Sequence, residues 1–325
     1  MKTITFSQAT QEAMIEEMER DPSVFVMGED IARQGGIFGQ FKELPGRFGT
    51  DRVRDTPISE TAIVGAAVGA ALAGMRPVAD MHFADFMLVC GDEVFNQMAK
   101  VHYMFGAQKT VPMVLRAPDG LISQAAAQHS QMVEGIFAHI PGLKIVSPSN
   151  PADAKGLLKS AIRDDNPVIY FEHKALFSTK GEVPEDSDFY VPIGKGRIDK
   201  AGTDVTVVSW SHCLHTTCQE VVKLAEKEGI SVELIDLRTI VPWDKEMVLE
   251  SVAKTSRLCI VHEAVKHGGF GGEIAATVAE EAIGMLDAPI LRFGAPFTPV
   301  PFARTLEQAY RLSPEKIMAG IRKMF

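Results

Sequence analysis

The chain has few positive charges for its 325 residues, with 33 lysines and arginines against 42 aspartates and glutamates and a formal net charge of −9. Nucleic acids and anionic membrane surfaces bind proteins through clustered cations, and this sequence contains no such cluster. The deficit argues against nucleic acid as a partner. It favours proteins and small molecules instead.

The sequence also lacks an apolar run long enough to cross a bilayer, which takes roughly 20 residues. The longest candidate, residues 61–74, is bounded by Glu60 and Arg76 and is predicted to form a buried helix. Met1 leads almost directly into a helical pattern, so the sequence predicts no targeting segment. We therefore expect no membrane association and a cytoplasmic location.

Cysteine is scarce, and no two cysteines form a C-x-x-C pair. So few thiols in so long a chain argue against a disulfide framework and predict reduced cysteines. Cys213 and Cys218 lie close in sequence to His212 and His215, which permits either a metal site or a polar turn between a strand and a helix. The spacing matches none of the usual zinc patterns and favours the turn.

Short β-branched runs alternate with helical patterns along the whole chain, which predicts an α/β fold with two parallel-sheet domains. Strands are predicted in the first half at residues 24–27, 76–81, 111–116, 144–147 and 168–171. Strands are predicted in the second half at residues 205–209, 232–236, 258–262 and 289–293. The predicted helices include residues 151–163, capped by Ser149 or Asn150, and residues 214–228, ended by Gly229.

One stretch, residues 174–196, is rich in charge, proline and glycine and has no periodicity, as expected of a connection between domains. We therefore divide the chain into a first domain of residues 1–175, a linker of residues 176–197 and a second domain of residues 198–325.

A glycine-rich stretch, residues 267–272, follows a predicted strand and precedes a predicted helix, where backbone amides could hold a phosphate. This arrangement permits a nucleotide site. Its spacing is not G-x-G-x-x-G, however, and no Walker sequence occurs anywhere in the chain. The pattern therefore favours a tight loop that opens a helix.

Gly65 and Gly69 lie four residues apart in the predicted alanine-rich helix, and therefore on one face of it. Without side chains on that face, another backbone can approach closely. The sequence leaves two uses open, internal packing and a subunit interface.

Residues 55–60, DTPISE, join a short strand to that helix, with Ser59 suited to the N-cap and Glu60 in the first turn. Taken alone, this pattern indicates a capped helix whose dipole favours a carboxylate. Together with other motifs in the same order, it resembles the beta subunits of the decarboxylating components of 2-oxo acid dehydrogenases. The other matching stretches are 127–131 (AQHSQ), 141–144 (PGLK), 153–157 (DAKGL), 160–164 (SAIRD) and 166–167 (NP).

The resemblance covers nearly the whole chain and implies a thiamine-diphosphate pyrimidine-binding domain followed by a transketolase C-terminal-like domain. It implies that Glu60 contacts the pyrimidine ring of thiamine diphosphate, where a shared proton favours the imino tautomer that generates the ylid. It also places Ile58 and His82 at the cofactor, although relatives more often carry glutamine or a small polar residue at position 82. Phe86 aligns with the aromatic residue that stacks on the aminopyrimidine, with Phe83 or core packing as the competing use.

His129 resembles the family histidine that lines the active-site channel, where it could orient the substrate or steady an oxygen as the acyl group passes to lipoate. The resemblance further implies a structural potassium ion held by backbone oxygens. The corresponding residues are Met113, Ala161, Ile162, Asp164 and Asn166.

The chain has no Gly-Asp-Gly motif with a downstream asparagine, which such enzymes use to hold magnesium and the diphosphate; residues 91–93, Gly-Asp-Glu, come nearest. The resemblance therefore implies an alpha subunit that supplies the motif in an alpha2-beta2 assembly, with thiamine diphosphate across the interface. The acyl group would pass to the lipoyl group of an acyltransferase component. Two alternatives stay open, an NAD-dependent dehydrogenase and a non-catalytic scaffold subunit.

The substrate is not fixed by the sequence. Residues 181–186, 125–129 and 296–302 look most like acetoin dehydrogenase beta chains, whereas the loop of residues 30–48 is closer to pyruvate or branched-chain types. Acetoin, pyruvate and branched-chain 2-oxo acids all remain candidates.

Overall fold

The computed structural model describes every residue from Met1 to Phe325 and divides the chain into two compact units. The first unit consists of Met1–Asp119 and Phe137–Ile193, and the second of Gly120–Ile136 and Gly194–Phe325. No helix combines the length and the apolar character needed to cross a membrane.

Strands and helices alternate through the first unit, as the sequence predicts. Its strands are β1 (Lys2–Thr5), β2 (Val24–Gly28), β3 (Val53–Asp55), β4 (Arg76–Asp80), β5 (Val114–Asp119), β6 (Lys144–Val146), β7 (Val168–His173) and β8 (Lys180–Val183). Its helices are α1 (Phe6–Arg20), α2 (Leu44–Phe48), α3 (Glu60–Leu72), α4 (Ala99–Met104) and α6 (Pro151–Arg163), while α5 (Glu134–Ala138) spans the boundary between the units. A 3₁₀ turn (Ala84–Leu88) and a π-helical turn (Glu93–Met98) precede α4.

The main sheet of the first unit is parallel and has the strand order β6-β7-β5-β4-β2-β3. Every residue of β2, β5 and β7 is buried, as expected for a parallel sheet covered on both faces. Helix α6 begins where Asn150 accepts a hydrogen bond from the Asp153 amide at 2.9 Å. The cap was predicted to be Ser149 or Asn150, and the structure selects the asparagine.

Charged side chains join α1 to α6 in the first unit. Lys155 and Lys159, both fully buried, donate to Glu16 at 2.6 and 2.7 Å, and Arg163 donates to the buried Glu17 at 2.6 Å. Buried ammonium groups are tolerated only when paired in this way. The contacts fix the two helices against each other on one face of the sheet.

The second unit is a smaller α/β layer. Its strands are β9 (Arg197–Lys200), β10 (Val205–Ser209), β11 (Val232–Asp236), β12 (Thr239–Val241), β13 (Leu258–Val265) and β14 (Leu291–Ala295). Its helices are α7 (Ser211–Cys213), α8 (Gln219–Lys227), α9 (Lys245–Thr255), α10 (Gly271–Ala282), α11 (Arg304–Tyr310) and α12 (Pro314–Ile321). A π-helical turn (Leu214–Cys218) joins α7 to α8, and short 3₁₀ turns follow α10 (Ile283–Met285) and α12 (Arg322–Met324).

The sheet of the second unit has the order β14-β13-β10-β11-β9, parallel except for the antiparallel edge strand β9. The predicted helix of residues 214–228 is present, although its first turn is π-helical, and Gly229 ends it with a φ of 74°. Cys213 and Cys218 lie between strand β10 and helix α8, as the favoured interpretation of a strand-to-helix turn has it, but their side chains are buried in the apolar core of this unit.

The stretch predicted as a linker, residues 176–197, is structured over much of its length. Strand β8 pairs antiparallel with β1, and the first unit continues to Ile193. Val191 packs directly on helix α6 at Gly156, where a Cβ would lie only 2.4 Å from Val191 Cγ2. Strand β8 is too short to show a periodic pattern, and its pairing with the distant strand β1 is not visible in the local sequence. The composition of the stretch therefore indicated a loop.

Candidate active site

Three polar residues of the first unit follow neighbouring parallel strands. Glu29 comes directly after β2, His82 two residues after β4, and Glu60 five residues after β3. Because β4, β2 and β3 are adjacent and parallel, their carboxyl ends meet at one edge of the sheet. This is where α/β proteins bind ligands.

Glu29 and His82 form a close pair at this edge. The Nε2 of His82 lies 3.0 Å from the Glu29 carbonyl oxygen, and its Nδ1 lies 3.1 Å from Glu29 Oε2. A carbonyl can only accept, so Nε2 donates to it, and Nδ1 faces the carboxyl group. Burial raises the pKa of Glu29, His82 opposes the rise, and the nearby negative charge of Glu60 adds to it. Glu60 therefore lies within electrostatic reach of the pair.

Asp55 anchors the turn that leads to Glu60. Its carboxylate accepts the amide hydrogens of Ala32 at 2.6 Å and Arg33 at 3.2 Å, while the Thr56 amide donates to the Gly28 carbonyl at 2.9 Å. These hydrogen bonds connect residues 55–60 to β2 and the loop that follows it. They hold Glu60 close to Glu29.

The start of α3 differs in one detail from the predicted cap. Ser59 occupies the N-cap position, but its side chain makes no capping hydrogen bond. Glu60 opens the helix as a half-buried residue, and Ile58 is 83% exposed. Ile58 is therefore free to contact a bound molecule, although a single exposed apolar side chain does not by itself define a binding surface.

The small-residue face of α3 is open at Gly69. Ile63, Val64, Ala67, Val68 and Ala71 are buried, whereas Gly69 is exposed and a Cβ on it would meet nothing within 4 Å. A Cβ on Gly65 would touch only Glu93 Cγ, at 3.6 Å. Internal packing therefore does not account for Gly69.

Phe86 and Phe83 form an edge-to-face pair with ring centroids 5.6 Å apart. Phe83 is held from the other side by Phe38 at 6.1 Å and by the Lys174 ammonium 5.2 Å from its ring. Both rings are half-buried. The choice of Phe86 as the ring that stacks on a ligand therefore stays a prediction from the resemblance.

A buried charged cluster lies beneath this edge of the first unit. Arg116 donates to Glu172 through Nε and, at 2.9 Å, through Nη2, and its Nε lies 4.0 Å from Asp80 Oδ1. All three side chains are almost fully buried. One guanidinium cannot neutralise two carboxylates, and burial raises the pKa of Asp80 to about 8.

The residues predicted to hold potassium lie in the first unit around β5 and the end of α6. Arg76 Nη1 donates to the carbonyls of Ile162 and Asp164, both at 3.0 Å, and the Met113 carbonyl accepts the Val168 amide at 3.0 Å. A potassium ion would have to share two of its five oxygens with a guanidinium, and like charges repel. The set therefore fits the ion poorly.

His129 lies in the second unit, on the Gly120–Ile136 segment. This segment lacks regular structure up to Glu134 and borders a cavity of about 680 Å³. The cavity is otherwise lined by residues of the same unit, among them Glu263, His267, Phe297 and Tyr310. His129 is half-buried.

The glycine-rich loop of residues 267–272 packs on His262. A Cβ on Gly269 would lie 2.5 Å from His262 Cε1, and one on Gly271 would lie 2.8 Å from His262 Cδ2. The imidazole is in turn stacked on Trp210, with ring centroids 5.3 Å apart. The glycines thus make room for a buried ring, which supports the interpretation as a tight loop before α10.

The sequence did not single out Glu29, Asp80, Arg116 or Glu172. Each is one charged residue within or just after an apolar strand, a pattern that also occurs at strand ends without function. The charged residues recur at the ends of strands that are neighbours in the sheet, and this recurrence could have indicated a site. It can be recognised only when the strand order is known.

Two family models match the chain. Residues 2–179 match "Transketolase, pyrimidine binding domain", and residues 194–317 match "Transketolase, C-terminal domain". Among solved structures, a chain of "Split gene transketolase, inactive beta4 tetramer" is similar with a TM-score of 0.77 at 23% identity. The similarity covers 99% of this chain and 98% of that one, and it establishes the fold.

Curated relatives are similar over almost the full length. The 2-oxoisovalerate dehydrogenase subunit beta of Bacillus subtilis is 45% identical, covering 100% of this chain and 99% of its own. The acetoin:2,6-dichlorophenolindophenol oxidoreductase subunit beta of Cupriavidus necator is 47% identical, with 99% and 97% covered. The pyruvate dehydrogenase E1 component subunit beta of Rhizobium meliloti is 45% identical, with 95% and 67% covered.

Proposed function

The chain belongs to the transketolase-like family of thiamine-diphosphate-dependent dehydrogenase beta subunits, and from this premise we propose that it is the beta half of a 2-oxo acid or acetoin dehydrogenase. The proposed reaction is cleavage of the substrate beside its carbonyl group, followed by reductive transfer of the acyl group to a lipoyl group. The relatives named for branched-chain, acetoin and pyruvate substrates are 40–47% identical, and members of all three groups reach 45% or more, so identity does not choose among substrates.

The observation that carries the proposal is the meeting of Glu60, Glu29 and His82 at the carboxyl ends of three adjacent strands. Thiamine diphosphate, when bound, supplies the nucleophilic carbon that attacks the substrate carbonyl. A carboxyl group such as Glu60 can exchange a proton with the ring nitrogen of the pyrimidine. Glu29 and His82 add a second carboxyl group and an imidazole beside it.

The remaining residues of the proposed site bind and orient. Ile58, exposed ahead of Glu60, offers apolar contact to the pyrimidine, and Phe86 offers its ring face for stacking. His129, on the second unit, would hydrogen-bond the substrate oxygen. These assignments rest on the family resemblance together with the exposure of each side chain.

The chain needs a partner for this function, because it has no motif for magnesium and diphosphate. We propose an alpha subunit that carries both, in an alpha2-beta2 assembly, and a lipoyl acyltransferase as the acceptor, in the cytoplasm. The exposed, unoccupied surface at Gly69 of α3 supports an intersubunit contact there.

Potassium stays a prediction from the resemblance. Since Arg76 already donates to two of the carbonyls, potassium should raise the melting temperature above that in sodium only at high concentration.

Co-expression with a candidate alpha chain tests the proposal. The purified complex is assayed with acetoin, pyruvate and branched-chain 2-oxo acids, using 2,6-dichlorophenolindophenol as the electron acceptor. We expect thiamine-dependent and magnesium-dependent reduction of the dye with at least one of them. NAD binding by the chain without thiamine-dependent turnover would instead support the nicotinamide alternative.

A further inference from the structure

The Gly120–Ile136 segment follows a strained path within the second unit. Gln124 and Ala126 have φ values of 57° and 60°, a left-handed conformation that residues with a Cβ adopt at a cost in energy. Between Leu121 and Val133 the segment forms no helix or strand that could impose this path. Contacts from outside the segment must therefore hold it.

Two glutamates of the second unit supply such contacts. Glu307, on α11, accepts the Gln124 amide hydrogen at Oε2 over 2.7 Å. Glu263, on β13, accepts the Leu121 amide hydrogen at Oε1, also over 2.7 Å. Hydrogen bonds from backbone amides to carboxylates are charge-assisted and stronger than those to neutral acceptors. Both hydrogen bonds hold the part of the loop that precedes His129 in the chain.

Glu307 is itself fixed in place. It is only 4% exposed, and its other oxygen accepts Arg311 Nη2 at 2.6 Å, one helical turn further along. At the base of the loop, the Gly120 amide donates to the Gln131 carbonyl at 3.1 Å. The loop from Gly120 to Gln131 is thus closed at its base and anchored at Leu121 and Gln124. His129 lies on its returning arm.

We propose that Glu307 is a positioning residue, with Glu263 as a second anchor, and that it acts on the reaction by fixing the loop that carries His129. The proposal rests on the proposed function, in which His129 meets the substrate. Glu307 itself is not a catalytic residue. The same loop borders the cavity through Ala127, Ser130 and Gln131, so a shift of the loop would alter the cavity wall as well.

The test compares variants in the reconstituted complex. Glu307→Ala removes the acceptor, and a misplacement of about 1 Å at a reacting group can cost up to about 100-fold in rate. We expect kcat to fall at least 10-fold. Glu307→Gln keeps an oxygen that can accept the Gln124 amide and should restore most of the activity. The matched control is Glu281→Ala, which removes an exposed glutamate paired with Lys245 on the same unit.

A double variant separates positioning from general stabilisation. If Glu307 acts through His129, adding Glu307→Ala to His129→Ala should lower kcat by less than about threefold, because coupled residues are not additive. An independent, multiplicative loss would overturn the proposal. So would a Glu307→Gln variant as inactive as Glu307→Ala.

Hydrogen exchange gives a readout that does not depend on activity. In Glu307→Ala, the amides of residues 121–131 should exchange at least 10-fold faster than in the wild type, while those of the strands β10 and β13 should be unchanged. Unchanged exchange in the loop would overturn the proposal. If Glu307→Ala does not fold, Glu307→Asp serves, since it keeps the charge but draws the carboxylate back by one methylene.

The same experiments distinguish failure of the proposal from failure of the proposed function. A wild-type complex inactive on every substrate, or a fully active His129→Ala variant, would refute the proposed function of the site. Faster exchange of the loop in Glu307→Ala would still establish the anchoring. Normal wild-type activity with additive variants would refute the positioning role alone.

Discussion

At the scale of single residues, Glu60 lies both in the first turn of α3 and near a second acid. A carboxylate in the first turn is favoured by the helix dipole. Burial raises the pKa of Glu29, and the negative charge of Glu60 adds to that rise. Glu60 could therefore serve to open the helix or to exchange a proton with a bound ligand.

The variant Glu60→Gln separates these two roles. Glutamine keeps the shape and the hydrogen bonds but cannot exchange a proton with a pyrimidine nitrogen, so turnover of the reconstituted complex should fall at least about 100-fold. Stability should change by only a few tenths to about 1 kcal/mol, the usual contribution of a first-turn carboxylate. Dye reduction and thermal unfolding measure the two effects.

The control for Glu60→Gln is Glu246→Gln, an exposed first-turn glutamate of α9. It loses the same charge in the first turn of a helix and should leave turnover unchanged. Near-normal turnover in Glu60→Gln would mean that Glu60 only favours the helix.

Asp80 makes the stability of the first unit depend on pH. Burial raises its pKa to about 8 in the folded chain, compared with an ordinary value of 3.8. The folded state then binds the proton more tightly than the unfolded state, so stability falls as pH rises from about 4 to about 8 and levels off above that. Glu134 of the second unit, its pKa raised by burial to about 7, acts in the same direction.

The variant Asp80→Asn should remove much of this dependence, because asparagine resembles the protonated acid. We expect its melting temperature, relative to that of the wild type, to rise between pH 5 and about pH 8 and to level off above that. Asp51→Asn changes an exposed aspartate and should show no such trend. A constant difference between Asp80→Asn and the wild type at all pH values would mean that Asp80 is ionised throughout.

At the scale of elements, α3 presents a helix face that is apolar yet exposed. Gly69 has open space around it and a backbone conformation that any residue can adopt. Gly69→Leu should therefore fit the separate chain and raise its stability by up to about 1 kcal/mol, since leucine favours helices over glycine. The same side chain should block a partner helix and weaken assembly with the alpha subunit.

Sedimentation of the variant with its partner measures this prediction. Gly46→Leu is the matched control, because Gly46 is also helical, exposed and without neighbours within 4 Å. It should assemble normally. Normal assembly by Gly69→Leu as well would mean that this face of α3 is exposed to solvent in the complex.

At the scale of the whole molecule, the chain carries one part of a cofactor site. It has a pyrimidine-binding domain but no motif for magnesium and the diphosphate. The purified chain alone should therefore bind thiamine diphosphate weakly and with little dependence on magnesium, whereas the complex with the alpha subunit should bind it tightly. Calorimetric titrations with and without magnesium measure both, and tight magnesium-dependent binding by the chain alone would contradict the prediction.

The sequence by itself determined the class of fold and most of its elements. Strands β2, β10 and β11 and helix α6 begin and end within a residue of the predicted positions, because their apolar runs and caps are local signals. The sequence also identified the family, through motifs whose order and spacing survive without knowledge of the fold. Glu60 and His129 were therefore named as site residues from the chain alone.

Only the tertiary structure decided which residues accompany them. Glu29 and His82 meet because β2 and β4 are neighbours in a sheet whose order does not follow the chain, and Glu307 reaches Gln124 across 183 positions of sequence. The same holds for the Gly120–Ile136 segment, which belongs to the second unit although the first unit continues after it. Such contacts are set by strand order and packing between distant residues, and no local pattern in the sequence records them.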